Sequence, residues 1–382
     1  MRIGIDVTPL PERPVGAGNY ILHLARALAE LECEHEFIII AQHSGRRLIE
    51  QQPLPRLAWS LQPDRSPARR LAWEQFGLPV LAGRLKLDLL HSLHYTRPLW
   101  LPCPSVVTFH DLTFFLFPEL HTRAKRLFFP PVMRFSARRA RALAAVSEST
   151  RRDAVRILGI DPGRIFTTPL GLSSAFRPID DRAALEACRA RYNLPERFLL
   201  NVGLVEPRKN LPLLLQAYAG LPRPAAPPLV VVGRMGWGYE AVLRQVEQLG
   251  LQQQVHFAGY VPAEDLPLVY NLAQVFVYPS LYEGFGLPPV EAMACGTPVV
   301  TTGISAMLDN VGPAGLLTPP GDAPALAQAM AALLAQPELR QELRERGLRR
   351  AAEFTWQRTA LETLKIYQTV LDSRPGRAAD RG

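Results

Sequence analysis

Residues 275–302 read VFVYPSLYEGFGLPPVEAMACGTPVVTT, and no other stretch restricts the fold as much. The run Val275–Ser280 is apolar, with β-branched and aromatic side chains, as in a strand buried on both faces of a parallel sheet. Glycines 284 and 286 break it. Pro288 and Pro289 suit the first turn of a helix, where a backbone N–H has no intrahelical acceptor anyway. Gly296 stops that helix, and Thr297–Thr302 opens the next strand. Strand, glycine loop, short helix, strand is the unit of an open α/β sheet, and such sheets bind ligands beyond the carboxyl ends of their strands.

Two carboxylates fall in this unit. Glu283 is expected on the loop past the strand, and Glu291 in the opening turn of the helix. The backbone N–H groups of Gly284, Phe285, Gly286 and Leu287 form an anion-attracting helix start at the same place. An acid beside such a site would repel phosphate, so the glutamates are expected to grip hydroxyl groups. Anion plus hydroxyls in one crevice points to a nucleotide sugar. The bland alternative is that acidic residues simply favour helix N-termini.

The stretch resembles the E-x7-E signature of retaining glycosyltransferases of family 4, and on the mannosyltransferase side of that family. The resemblance implies the GT-B fold, an α/β architecture of two Rossmann-like domains facing across a cleft. It also implies that Glu291 holds the ribose of the donor nucleotide and that Glu283, with a catalytic role, contacts the donor sugar.

The chain has 382 residues, too many for one ordinary core, which favours two α/β domains. A hydrophobic fraction of 48% with 20% charged residues is that of a globular protein. No apolar run approaches a membrane span, and the N-terminal MRIGIDV carries charge inside its apolar stretch, unlike a signal peptide. Cys33, Cys103, Cys188 and Cys295 form no C-x-x-C pair, which favours the reducing cytoplasm and no metal. The net charge of +8 calls for an anionic partner or surface. Nucleic acid is not expected, because no zinc finger, helix-turn-helix, RNA-binding aromatic motif or basic tail is present.

Along the first half, expected as a domain over residues 1–175, Arg2–Val7 is a strand. Gly16 and Gly18 stand at the start of a helix from about Asn19, where glycine lets backbone approach phosphate. By resemblance this loop faces the donor diphosphate; otherwise it is a plain loop-to-helix turn. Further strands are expected at 37–41, 87–92, 105–112, 142–147 and 165–171. His91 and His94 lack ligand spacing and are expected at the rim or in packing. His110 closes an apolar strand and precedes Asp111; VTFHDLTFFLFPE resembles the family segment whose histidine lies near the transferring sugar, which makes His110 a second catalytic candidate. Residues 121–141, HTRAKRLFFPPVMRFSARRAR, carry seven Arg or Lys and no acid among six large apolar residues. Two readings stand equal: a peripheral contact with an anionic membrane that meets a lipid-linked acceptor, or a packed helix with solvated arginines.

The second half is expected as a nucleotide-sugar-binding domain over 176–354, after a linker at 173–181. Strands are expected at 197–203, 228–233 and 255 onward. Arg208 and Lys209 follow the first of these and could neutralise a diphosphate leaving group. In the family the lysine does so. Many members also carry Arg directly after the strand-end glycine, where this chain has Leu204. Tyr260 and Val261 resemble the segment whose backbone lines the base pocket. Asp309 and Asn310 stand where the family shows a Pro-Glu pair. A terminal helix, 355–372, is expected to cross back to the first domain, with a frayed tail at 373–382.

The expected function is transfer of a sugar from a nucleotide diphosphate donor, with mannose the first guess, to a glycan or lipid-linked acceptor of surface polysaccharide. Retention of configuration and no cofactor or metal are implied by the resemblance. The expected location is the cytoplasm, at the inner face of its membrane. A sugar-nucleotide 2-epimerase of the same fold is the alternative enzyme, separated by showing transfer to an added acceptor. A non-catalytic nucleotide-sugar or polyanion-binding protein would bind donor without turnover.

Overall fold

The computed structural model describes the chain except residues 13, 15, 51–56, 223–225 and 374–382. Nearly all of the expected tail therefore lies outside the described residues. The chain divides into two compact units, residues 1–171 together with 355 onward, and residues 172–354. The division falls ahead of the expected linker, and the terminal helix belongs to the first unit.

The first unit holds seven strands: β1 (Arg2–Asp6), β2 (Glu36–Gln42), β3 (Leu57–Gln62), β4 (Leu89–Ser92), β5 (Ser105–Phe109), β6 (Ala142–Ala145) and β7 (Ile165–Thr167). All pairings are parallel, in the order β3-β2-β1-β4-β5-β6-β7. Strand order reverses between β1 and β4, which places a crevice beyond their carboxyl ends. β3 has no counterpart in the expectations above; its side chains are all only partly buried, so its sequence, LAWSLQ, lacks the apolar run of its neighbours.

β1, β2, β4, β5 and β6 are buried along nearly their whole length, so both faces of the sheet are covered, and two neighbouring clusters share one of those faces. Ile38, Ile40, Leu78 and Leu90 fill one region, and Val107, Phe109, Met133, Leu143 and Ile165 fill another. The terminal helix, Trp356–Asp372, buries Thr363, Ile366, Tyr367, Val370 and Leu371. It packs along the helix Ala17–Glu30, where Trp356 stacks on His23 with ring centroids 5.1 Å apart. His91 is a core residue. Its Nδ1 lies 2.7 Å from the Tyr367 hydroxyl and its Nε2 2.8 Å from Thr108 Oγ1, so both ring nitrogens are satisfied without water.

The second unit holds β8 (Leu199–Val202), β9 (Leu229–Val232), β10 (Val255–Gly259), β11 (Val275–Tyr278), β12 (Val299–Thr302) and β13 (Leu316–Thr318). This sheet is also wholly parallel, in the order β10-β9-β8-β11-β12-β13, with its reversal between β8 and β11. β8, β9, β11 and β12 are buried along their whole length, as runs such as LVVV and VFVY require. Leu199, Leu214, Val231, Val277, Leu326 and Met330 belong to one continuous core. Asn201, in the middle of β8, donates to the Val277 carbonyl at 2.8 Å and so ties the two strands at the reversal.

Candidate active site

Both strands at the reversal of the second sheet end in chemistry. β11 closes on Tyr278, and its exit is pinned by neighbouring threonines: Thr301 Oγ1 donates to Tyr278 O and Thr302 Oγ1 to Ser280 O. The chain then turns through Leu281–Gly286 into the helix Leu287–Ala294. Gly286 caps that helix at φ 79°, and a Cβ there would lie 2.0 Å from Met307 Cε. The left-handed φ is what asks for glycine, since the Met307 tip is the flexible end of a side chain and can move aside. Asn310, at the end of the helix Ala306–Asn310, donates to the Phe285 carbonyl at 2.6 Å. Asn310 therefore serves this chain as a brace for the glycine loop, at a position where the family pattern differs.

Glu283 is 7% exposed and every facing group is a donor. Its Oε1 accepts from Ser280 Oγ at 2.7 Å, from the Tyr278 hydroxyl at 2.9 Å and from Lys209 Nζ at 2.7 Å. Its Oε2 lies 2.6 Å from Arg208 Nη1. Burial alone would push the carboxyl up. Arg208 and Lys209 overcome that and hold it well below the usual carboxylate range. Glu283 is thus a fixed anion. Its own N–H donates to Ser305 Oγ at 3.0 Å.

The cations come from the turn Pro207–Lys209, just beyond β8. Arg208 is almost fully committed. Its Nε and Nη2 both donate to Glu206 Oε1, at 3.1 and 2.8 Å, and its Nη1 donates to Tyr282 O at 3.1 Å besides pairing with Glu283. Its carbonyl accepts from Leu281 N–H and Ser280 Oγ. Arg208 is a strut between the loops after β8 and β11. Lys209 is buried, and its ammonium donates to Tyr278 and Glu283. An ammonium has three N–H groups, so one of them is not spent on these two partners. With Glu206 and Glu283 against Arg208 and Lys209, the cluster is close to neutral, which a reading of two spare cations did not foresee.

Glu291 sits on the second turn of its helix, not the opening one, because the helix begins at Leu287. It is partly buried, and its Oε2 accepts from the Tyr270 hydroxyl at 2.9 Å. Burial raises its carboxyl to about 7, with the Tyr270 bond opposing the rise. The two glutamates therefore differ in kind, one locked as an anion and one poised to titrate.

Tyr260 follows β10 and is exposed, with the Arg234 guanidinium 4.3 Å from its ring centre; Val261 is buried. In the first unit, the helix with Gly16 and Gly18 starts at Ala17, two residues before the expected Asn19, and Gly16 caps it at φ 51°. His110 stands just past β5. Its Nε2–H donates to the Leu93 carbonyl at 2.8 Å, and Tyr20 and Tyr95 meet its ring edge-on at 5.0 and 5.4 Å. Burial lowers its basicity, so at neutral pH it is an uncharged imidazole with Nδ1 as the acceptor.

Sequence reasoning missed Glu206, Tyr270, Tyr278, Ser280 and Ser305. Tyr278 and Tyr270 look like core aromatics in the sequence, and only Ser280, three residues before Glu283, offered a local signal.

The description "Glycosyl transferases group 1" matches residues 188–350, and "Glycosyltransferase Family 4" matches residues 14–175. The chain is 32% identical to O-antigen chain mannosyltransferase B of Escherichia coli, over 96% of this chain and 100% of that one. It belongs to the group 1 glycosyltransferases. Among solved structures, sucrose-phosphate synthase of Thermosynechococcus elongatus matches this glycosyltransferase with a TM-score of 0.77 at 24% identity, covering 98% of this chain and 100% of that one. Anabaena Alr3699/HepE in complex with UDP-glucose matches at 0.74 and 18% identity, covering 97% and 100%. The fold is GT-B, and the enzyme is a nucleotide-sugar glycosyltransferase.

Proposed function

We propose that this glycosyltransferase moves a hexosyl group, with mannose the first candidate, from a nucleoside diphosphate sugar to a glycan or lipid-linked acceptor in surface polysaccharide assembly. The observation that carries the donor reading is Glu283, a buried anion fixed through both oxygens at the reversal of the second sheet, one turn from a helix start. The similarity to an O-antigen mannosyltransferase over its full length supports the acceptor class and the sugar.

Transfer proceeds with retention and without a metal ion. The bond from the sugar C1 to the diphosphate oxygen breaks, and the acceptor oxygen bonds to C1 from the same face. The acceptor proton passes to the departing phosphate oxygen. The protein mainly positions groups and meets developing charge. The remaining N–H of Lys209 and the helix-start amides of Gly284, Phe285, Gly286 and Leu287 receive the diphosphate, joined by Gly16 and Gly18. Glu291 accepts ribose hydroxyls, Val261 and Tyr260 face the base, and His110 and Glu283 orient the sugar. Arg208 acts through Glu283. The enzyme works in the cytoplasm, held to anionic lipid at the inner face of the membrane through residues 121–141.

The test is a pair of variants. Ribose hydroxyls do not change during the reaction, so Glu291→Ala should raise the donor KM and leave kcat near wild type. The sugar does change, so Glu283→Ala should lower kcat by about a hundredfold. Circular dichroism first establishes that both fold. Wild-type kcat and KM in both variants would make the pair structural and sink the assignment.

A further inference from the structure

The four charged groups at the β8–β11 reversal offset one another, Arg208 and Lys209 against Glu206 and Glu283. Arg234 stands apart from them. β9 ends at Val232, and Gly233 and Arg234 continue it beside the end of β8: Gly203 N–H donates to Val232 O, and Val205 N–H to Arg234 O, both at 2.9 Å. The backbones run so close that a Cβ on Gly233 would lie 1.9 Å from Gly203 O. The Arg234 side chain is exposed, with its guanidinium over the face of Tyr260 after β10. Tyr260 is 56% exposed, and Met235 and Trp237 on the same loop are 41% and 52% exposed. An aromatic–guanidinium stack bordered by uncovered Trp and Met is the kind of surface a flat ligand covers.

We propose that Tyr260 stacks on the donor's nucleobase and that Arg234, at the edge of the base, makes the site select guanine. This rests on the nucleotide-sugar reading above. The sheet order β10-β9-β8-β11 puts Arg234 and Tyr260 on the side of β8 away from Glu283. A donor whose diphosphate meets Lys209 beyond β8, and whose sugar meets Glu283 beyond β11, sends its base toward the ends of β9 and β10. A guanidinium presents paired N–H groups in one plane, which match guanine O6 and N7. Adenine sets an amino donor beside N7, which opposes the second N–H. Uracil has no such pair of acceptors along one edge.

Calorimetric titration of the full chain with GDP, UDP and ADP tests this. Wild type should bind GDP about tenfold or more tighter than UDP or ADP, given the usual worth of one bidentate contact. Arg234→Ala should weaken GDP by about ten- to a hundredfold and leave UDP within about twofold, the retained UDP binding showing that the fold is intact. Arg234→Lys, which supplies a point charge without the fork, should behave as the alanine variant does and serves if that variant does not fold. Unchanged GDP affinity in either variant overturns the proposal. So does an equal loss for GDP and UDP, which would mean a phosphate contact, or a wild-type preference for UDP or ADP. Wild-type enzyme that binds no nucleoside diphosphate removes the donor reading itself, and this inference with it.

Discussion

Glu291 changes charge near neutrality, and its sign of action follows from the direction of its shift. Burial lifts its carboxyl from 4.5 to about 7 in the folded chain. The folded state therefore holds this proton more tightly than the unfolded chain does. The associated stability is complete at low pH and is lost as pH rises from the ordinary value through about 7. Ligand binding runs the other way, because an ionised carboxylate is the better acceptor for ribose hydroxyls. The donor KM should fall as pH rises from about 6 to about 8, and Glu291→Gln should flatten that dependence. A wild-type KM that is flat over the range, measured from initial rates, would show that Glu291 does not meet the donor. Glu283 shows no such dependence, because two cations keep it charged far below this range. Its position was legible in the sequence; its locking by Arg208 and Lys209 was not, since those contacts join loops about seventy residues apart in the chain.

At the scale of elements, the helix Arg123–Arg139 carries features of both its readings, packing and an exposed basic surface. Met133, Ser136 and Ala137 are buried, and Arg134 packs its guanidinium 4.8 Å over Phe115. That half has a packed face, while Arg134, Arg138 and Arg139 lie on its exposed side. The first turns differ: Arg123, Lys125 and Arg126 are exposed, and Leu127 is 78% exposed, an apolar side chain among cations with nothing over it. Ala124, Lys125, Phe128 and Phe129 also border a cavity of about 670 Å³ lined by Thr8, Gln42 and His94 beyond the strands of the first sheet. The exposed turns are the ones to test as a membrane contact. The protein should cosediment with phosphatidylglycerol vesicles at low salt and be released at about 0.5 M salt, where screening is nearly complete. Arg123→Glu with Arg126→Glu should abolish sedimentation without loss of circular dichroism, since neither residue is part of the core. Wild type that ignores these vesicles at low salt reduces the whole helix to packing. Among the described residues no helix is long and apolar enough to cross a membrane.

For the whole molecule, each unit carries its own sheet and core, so ligand effects need not be shared equally. The proposed contacts to diphosphate, ribose and base fall mostly in residues 172–354. A bound nucleotide stabilises what it contacts by mass action, about 2.7 kcal/mol at a hundred times Kd. Hydrogen exchange with GDP should therefore show the largest added protection in the segments around Leu204–Lys209, Arg234 and Glu283–Glu291. Because Lys209 and helix-start amides are proposed to meet the phosphates in place of a metal, excess EDTA should leave that protection and the transfer activity intact. Complete loss of both in EDTA, restored by Mg²⁺ or Mn²⁺, would overturn metal independence.

Much of this was present in the sequence. Apolar runs bounded by glycine and proline located most of the strands, because a strand buried on both faces has almost no freedom of composition. Spacing located Glu283 and Glu291, since strand, loop and helix follow one another within a few residues. The weak places were β3, whose half-buried surface leaves no apolar run, and β13, only three residues long. What tertiary structure alone decided is which charges are spent. Arg208 reads as a spare cation beside Lys209, yet Glu206 and Glu283 consume it, while Arg234, with no motif around it, is left open at the neighbouring strand end. Sequence fixes which charges exist and roughly where each strand delivers them. Whether a charge is paired depends on atoms a few ångströms apart, brought together by parallel strands whose connections run through whole helices.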